Sequence, residues 1–187
     1  MSAPVLPKIE TERLRLRWIE ESDLEQLYSI FSDPQVMRYW STPPLQSLDQ
    51  ARDLLEEIQA SNRAGTILKW GVALKPDDKL IGTVTLFHLD RSNGRGEIGY
   101  AQARAYWGNG YINEALHALL KHCFEKLDLR RLEADVDPRN EPSIKTLERL
   151  GFQREGFLRE RWHVDGEIQD ALFYGLLRRD WMRADLT

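Results

Sequence analysis

The sequence predicts a mixed α/β protein: one sheet of about seven strands with helices on both faces. Three observations predict it. Stretches of period-two alternation recur along the whole chain. Between them stand apolar stripes of helical period, the clearest at residues 111–127. The two kinds of segment interleave instead of separating into halves, so the helices must cover the sheet.

Taken in order, residues 13–18 alternate Arg13, Arg15 and Arg17 with Leu14, Leu16 and Trp18, as a half-buried strand does, the arginines forming its solvated face. Residues 20–31 read as a helix, with Leu24, Leu27, Tyr28 and Phe31 at helical spacing and Ser22 or Asp23 available as its cap. Thr42-Pro43-Pro44 ends regular structure. Residues 47–62 form the next helix, with Ala51, Leu54, Leu55 and Ile58 on one face and Gly65 past its end. Strands follow at 66–74, 80–88 and 97–101. Pro76-Asp77-Asp78 closes the first, and Ser92-Asn93-Gly94 turns the chain after the second, because Asn and Gly tolerate positive φ. After the Gly108-Asn109-Gly110 turn, Leu116, Leu119, Leu120, Cys123, Phe124 and Leu127 share one helical stripe. Residues 131–137 alternate Leu132, Ala134 and Val136 with Glu133, Asp135 and Asp137, and Pro138 stops them. Residues 142–150 are a short helix, Pro142 suiting its first turn and Gly151 its end. The strands at 152–164 and 168–177 are joined by Asp165-Gly166, a hairpin signal, and the second is apolar on both faces, which suits a central position.

A chain of 187 residues with no internal repeat or long linker reads as one domain spanning 1–187, long enough to bury a core without disulfides or a structural metal. Its one cysteine, Cys123, excludes an intrachain disulfide and fits a reducing compartment. The longest clean apolar run is 171–177, far short of a membrane span, and residues 1–11 hold no apolar signal segment, so a cytoplasmic protein without a membrane partner is expected. A net charge of −4 argues against a nucleic-acid binder, which carries a basic face.

The glycine-rich turn at 107–112 precedes the best helix in the chain. A helix start presents backbone N–H groups without intrahelical partners at the positive end of the dipole. Glycines there let a bulky anion approach, which makes a phosphate cradle; a tight turn needing positive φ alone is the equal alternative. A P-loop needs a lysine that is absent here. The dinucleotide fingerprint needs a third glycine where Asn113 stands. No Gly-x-Ser-x-Gly elbow and no His-Glu-x-x-His pair occurs, and His117 and His122 are five apart on their helix, so no metal site is expected. Cys123, on the apolar stripe, reads as core.

The loop and its surroundings resemble the GCN5-related N-acetyltransferases, in the branch that acetylates ribosomal-protein N-termini. AYWGNGYINEA at 105–115 resembles the stretch that opens the long helix in that branch. LEADVDPRNEPSIKTLERLGF at 132–152 resembles its second half, and IETERLRLR at 9–17 and the Asp165-Gly166 hairpin match as well. The resemblance implies that family's fold, with the sheet splayed in the middle, and acetyl-CoA as co-substrate. It places the cofactor's diphosphate on the N–H groups of Gly108, Asn109, Gly110, Tyr111 and Ile112. The pantetheine arm lies between the strand ending at Tyr100, Ala101 and Gln102 and the one ending near Asp137. Against the family pattern Gln/Arg-x-x-Gly-x-Gly/Ala, Trp107 stands at the first position and Ile112 at the last. Asn140 matches the asparagine that bonds the cofactor; by itself it reads as a turn residue or helix cap.

The implied chemistry is attack of an amine on a thioester. A base must take the proton, an oxyanion needs donors, placed by the family at a strand bulge, here near Ala101, and a thiolate must leave. Many relatives protonate the thiolate with a tyrosine, but the matching residue is Leu147. Ser143, one helical turn earlier on the same face, takes that role by resemblance to the branch; a polar first-turn residue is the plain alternative. Glu97 is the expected base, a solvent-facing strand residue being its equal alternative, with Asp135, Asp137 and His163 weaker. Tyr39, Trp40, Trp70 and His88, with Phe87 and Trp162, fall in regions that line the acceptor side of the fold. Aromatic walls suit a cationic amine, although core packing is the commoner use of such residues. The acceptor is expected to be a protein N-terminal α-amine or a small primary amine such as a polyamine. A non-catalytic acyl-CoA sensor and a nucleotide-binding module are rivals, and a homodimer is frequent in the branch.

Overall fold

The structure is a computed structural model that describes residues 6–184. Its sheet has eight strands in the order β1-β2-β3-β4-β5-β6-β8-β7. They are β1 (Ile9–Glu10), β2 (Leu14–Arg17), β3 (Leu68–Leu74), β4 (Leu80–Asp90), β5 (Arg95–Gln102), β6 (Arg131–Val136), β7 (Gln153–Val164) and β8 (Glu167–Leu177). The helices are α1 (Leu24–Phe31), α2 (Pro34–Met37), α3 (Leu48–Ala64), α4 (Tyr111–Glu125), α5 (Glu141–Arg149) and α6 (Arg178–Ala184). Every neighbouring pair of strands is antiparallel except β5 and β6. The eighth strand, β1, is two residues long and shows no alternation to read.

Both faces of the sheet are covered, as the interleaved elements require. Leu116, Leu119, Leu120 and Phe124 of α4 pack with Leu86 and Leu132 on one face. Leu27 and Phe31 of α1 pack with Leu55 and Ile58 of α3 and with Ala101 on the other. β8 runs between β6 and β7, so its two apolar faces are both used. Asp165 and Gly166 both have positive φ, 48° and 83°, as their hairpin turn demands. Two helices differ from the sequence reading. α2 is capped by Asp33, whose side chain accepts from the Gln35 N–H, with Pro34 in the first turn. α6 is fixed by tertiary contact: buried Trp181 packs 4.6 Å from the His117 ring and 6.0 Å from Phe124.

The arginines of β2 are not simply solvated. Arg17 is held by Asp23 at 2.7 and 3.0 Å and by Asp78, and Arg15 bonds Glu10 and Asp78. Acidic residues brought over by the α1 entry and the β3–β4 turn neutralise that face.

Trp70 corrects a second expectation. It is 0% exposed on β3, its Nε1–H donates to the Pro7 carbonyl at 2.8 Å, and it packs edge-on to His122. Alternation turns it into the α4 core, so it cannot wall an acceptor pocket. Trp70→Ala is expected to cost about 3–5 kcal/mol in chemical denaturation, without a selective change in acceptor KM in whatever fraction stays folded.

Candidate active site

The parallel pairing of β5 and β6 covers Arg95↔Arg131, Gly96↔Leu132 and Glu97↔Glu133 and then stops, although β5 continues to Gln102 and β6 to Val136. Past Glu97 the facing edges of the two strands carry no ladder to each other. This opening lies in mid-sheet, where an added chain could pair with both edges.

At the end of β5 the chain enters the glycine turn. Gly108 and Gly110 have φ of 77° and 75°, a left-handed conformation that costs glycine little. Side chains tie the carbonyls of this turn back. Asn109 Nδ2 donates to the carbonyls of Tyr106 and Trp107 at 3.1 and 3.0 Å, and Arg13 Nη1 donates to that of Asn109 at 3.0 Å. Each trans peptide directs its N–H opposite its C=O, so holding the carbonyls inward turns the following amides outward. Among the described residues, the N–H groups at 108–112 meet no carbonyl. Successive free amides in a left-handed turn, at the N-terminus of α4, form an anion nest.

Gln102 and Trp107 brace this turn. Gln102 Nε2 donates to the Tyr106 carbonyl at 2.6 Å, and Trp107 Nε1 donates to the Gln102 carbonyl at 2.8 Å. The Gln102 side chain is therefore committed to the protein, while Trp107 stays 48% exposed.

Alternation along β5 divides its side chains between the two faces. Tyr100 turns to the α4 and α5 side, where its hydroxyl lies 2.6 Å from Ser143 Oγ. Burial pushes its pKa up to about 12, so the phenol keeps its proton at neutral pH. Asn140 caps α5 through Oδ1, which accepts from the Ser143 N–H at 3.3 Å. Its Nδ2 has no acceptor among the described residues. Leu147 is buried and apolar.

Glu97 occupies the opposite face, its side chain 9% exposed and Oε2 2.9 Å from His88 Nδ1. Burial pushes the Glu97 carboxyl above the usual carboxylate range against the pull of the His88 hydrogen bond, and nearby Asp135 adds to the rise. Asp135 lies two residues beyond Glu133, the register partner of Glu97, and is itself pushed up by burial. It accepts from Trp162 Nε1 at 3.2 Å and stands 3.6 Å from Arg161 Nε. His88, with φ of 46°, sits where the β4–β5 register shifts between Phe87 and Asp90. The irregularity therefore falls at His88, not near Ala101, where β4 and β5 pair without a break from Gly82↔Gln102 to Phe87↔Glu97. A cavity of about 560 Å³ lies alongside, lined in part by Ile67, Phe87, His88 and Leu89.

Of the residues expected along the acceptor wall, His88, Phe87 and Trp162 gather around Glu97 and Asp135. Tyr39 instead has guanidinium groups over its ring, Arg38 at 5.1 Å and Arg139 at 5.7 Å, so its aromatic surface is taken by the chain's own cations. Trp40 packs edge-on to Phe31 in the α1–α3 core. Alternation along β6 places Asp135 on the Glu133 face. No group of three or more metal-ligating side chains occurs among the described residues, and none of their helices is long and apolar enough to cross a membrane.

A mixed sheet that opens at its one parallel junction, beside an amide nest and a buried carboxylate, is built as an acyltransferase. The family model described as an acetyltransferase (GNAT) domain matches residues 13–153, and the chain belongs to that family of N-acetyltransferases. Among its relatives, the uncharacterized N-acetyltransferase p20 of Bacillus licheniformis is 39% identical over 171 residues, 91% of this chain and 96% of that protein. YdaF of Bacillus subtilis, named as a candidate ribosomal N-acetyltransferase, is 38% identical over 105 residues, 56% and 57% of the two chains. Spermidine N(1)-acetyltransferase of Escherichia coli is 26% identical over 177 residues, covering 93% and 91%. In fold, the chain is similar to Mycobacterium smegmatis RimJ in complex with CoA-disulfide, with a TM-score of 0.85 at 23% identity over 99% and 98% of the chains. It is also similar to the ribosomal-protein-S5-alanine acetyltransferase of Vibrio fischeri, with a TM-score of 0.78 at 24% identity over 94% and 98%.

Proposed function

We propose that the chain, acting as one domain over 1–187, transfers the acetyl group of acetyl-CoA to a protein N-terminal α-amine, as a cytoplasmic enzyme of the ribosomal-protein type. The observation that carries the reading is the pairing of free amides at 108–112 with a mid-sheet opening that begins at Glu97. These residues fit the co-substrate: a diphosphate suits the nest, and an amide-bearing arm suits the unladdered edges at Tyr100 and Ala101. Asn140 Nδ2 is a further free donor beside the opening. Acetyl-CoA, when bound, supplies an activated acyl group on a thiol leaving group.

In this reading Glu97 takes the proton of the attacking amine. An α-ammonium has a pKa of about 8, against about 10.4 for a lysine-type amine, so a carboxyl raised by burial is better matched to the α-amine. Asp135 and Trp162 border the same space and help orient the cation. Ser143 Oγ hydrogen-bonds the departing sulfur, and Tyr100, protonated at neutral pH, donates to Ser143 and frees the serine proton for that bond. No metal enters the scheme, and a homodimer is compatible with it.

A second reading, acetylation of a small amine such as a polyamine, is favoured by the likeness to spermidine acetyltransferase. The deciding experiment is a panel of N-terminal peptides and polyamines with acetyl-CoA, read by thiol release and by the acetyl mass added to the acceptor. Peptides acetylated at the α-amine with the higher kcat/KM are expected. Preferential acetylation of spermidine would replace this reading with the second. CoA binding without thiol release from any acceptor would leave only a carrier of acyl-CoA.

A further inference from the structure

The N-terminal Thr-Glu-Arg segment lies 101 to 103 positions before Glu114 in sequence yet meets it in the first turn of α4. Thr11 Oγ1 and the Arg13 N–H both donate to Glu114 Oε1, at 2.6 and 2.9 Å, and Arg13 Nε donates to Oε2 at 2.6 Å. Glu114 thus fixes both the backbone and the guanidinium of Arg13. The Thr11 and Arg13 contacts outweigh burial and hold the Glu114 carboxyl below its ordinary range, so the grip is ionic at neutral pH. The Tyr111 ring lies beneath the guanidinium at 4.6 Å. Held on these sides, Arg13 points Nη1 at the Asn109 carbonyl. Nη2 has no acceptor among the described residues and lies 3.6 Å from the point where a Cβ on Gly110 would stand.

We propose that Arg13 is the positioning residue of the amide nest: by holding the Asn109 carbonyl it fixes the Asn109–Gly110 peptide so that the Gly110 N–H faces a bound diphosphate. The inference rests on the acetyl-CoA reading above. Gly108 and Gly110 leave the loop free to flip, because neither resists rotation of its peptide planes. Asn109 restrains the carbonyls of Tyr106 and Trp107, but nothing inside the loop restrains its own. Among the described residues Arg13 alone does so, from the bend that precedes β2. A flipped Asn109–Gly110 peptide would present a carbonyl oxygen to the anion in place of a donor. Lysine cannot substitute, because a point ammonium does not span Glu114 and Asn109 at once as the planar fork does. The guanidinium also stands as a fixed positive charge beside the anion, with Nη2 spare.

The test compares two donors that differ in the diphosphate. Affinity for CoA is measured by calorimetry, and kcat/KM is measured with acetyl-CoA and with acetyl-pantetheine, which lacks the diphosphate, for wild type, Arg13→Ala and Arg13→Lys. Both variants are expected to lose about tenfold or more in CoA affinity, the size of one charge-assisted hydrogen bond, and to keep wild-type kcat/KM with acetyl-pantetheine. If Arg13→Ala does not fold, Arg13→Lys, which keeps the charge against Glu114, carries the comparison. Wild-type CoA affinity in both variants, or equal loss with the two donors, overturns the assignment. A wild-type protein that binds no CoA would instead sink the acetyl-CoA reading, and this proposal with it.

Discussion

Glu97→Gln is expected to lower kcat by about 10²–10⁴-fold, the range for losing a positioned general base, while making the protein more resistant to heat at neutral pH. Both effects have one cause. Burial beside Asp135 raises the Glu97 pKa, so the folded state holds that proton more tightly than the unfolded chain does. The stability this gives is fully present below the unfolded value and is lost as pH rises through the folded one. At neutral pH the ionised carboxylate is therefore a cost, which glutamine removes while its carbonyl can still accept from His88 Nδ1. The acid limb of the wild-type pH profile of kcat/KM should report the raised Glu97 pKa, and the variant should lack that limb. Full turnover by Glu97→Gln with an unaltered pH profile would remove the residue from the mechanism.

Ser143→Ala is expected to lower kcat by about 10²-fold, the low end of general-acid contributions, with little change in KM for acetyl-CoA. Leu147, where the family resemblance implies an acid, is buried and apolar, and among the described residues the proton donor that meets the Ser143 hydroxyl is Tyr100, at 2.6 Å. Tyr100→Phe should give a smaller loss, because serine alone can still donate. Stopped-flow measurement of thiol release at fixed acceptor separates the two variants, and turnover equal to wild type in Ser143→Ala would discard the serine as the partner of the leaving sulfur.

Much of the fold could be read in advance because its signals are local. Strand alternation and the α4 stripe reflect dihedral geometry that repeats every two or 3.6 residues. The Asp165-Gly166 turn and the Gly108 and Gly110 positions reflect backbone conformations that glycine enters at low cost. The α5 cap by Asn140 was visible for the same reason, since it bonds an N–H three residues on. Trp70 was not legible in this way. Its alternation on β3 is clear, but which face would meet α4 depends on elements fifty residues away in the chain, and that choice made it core.

The site was legible by type and not by contact. Glu97, Ser143 and Tyr100 could be nominated through the family resemblance, yet nothing in the sequence shows His88 folding back onto Glu97, or the Tyr100 hydroxyl reaching Ser143 across 43 positions. Tyr39 and Trp40 illustrate the converse: aromatic residues in the expected region, spent on Arg38, Arg139 and Phe31.

By itself the sequence determined most of the elements, their order, the glycine turn before α4 and, through several motifs in register, the family. Only the tertiary structure decided which edges stay unladdered, which aromatics are core, and that an arginine from the bend before the second strand bonds the loop before α4. The physical reason is range: a repeating backbone writes its conformation into neighbouring residues, whereas a pairing such as Arg13 with Glu114 exists only once the sheet has brought distant segments together.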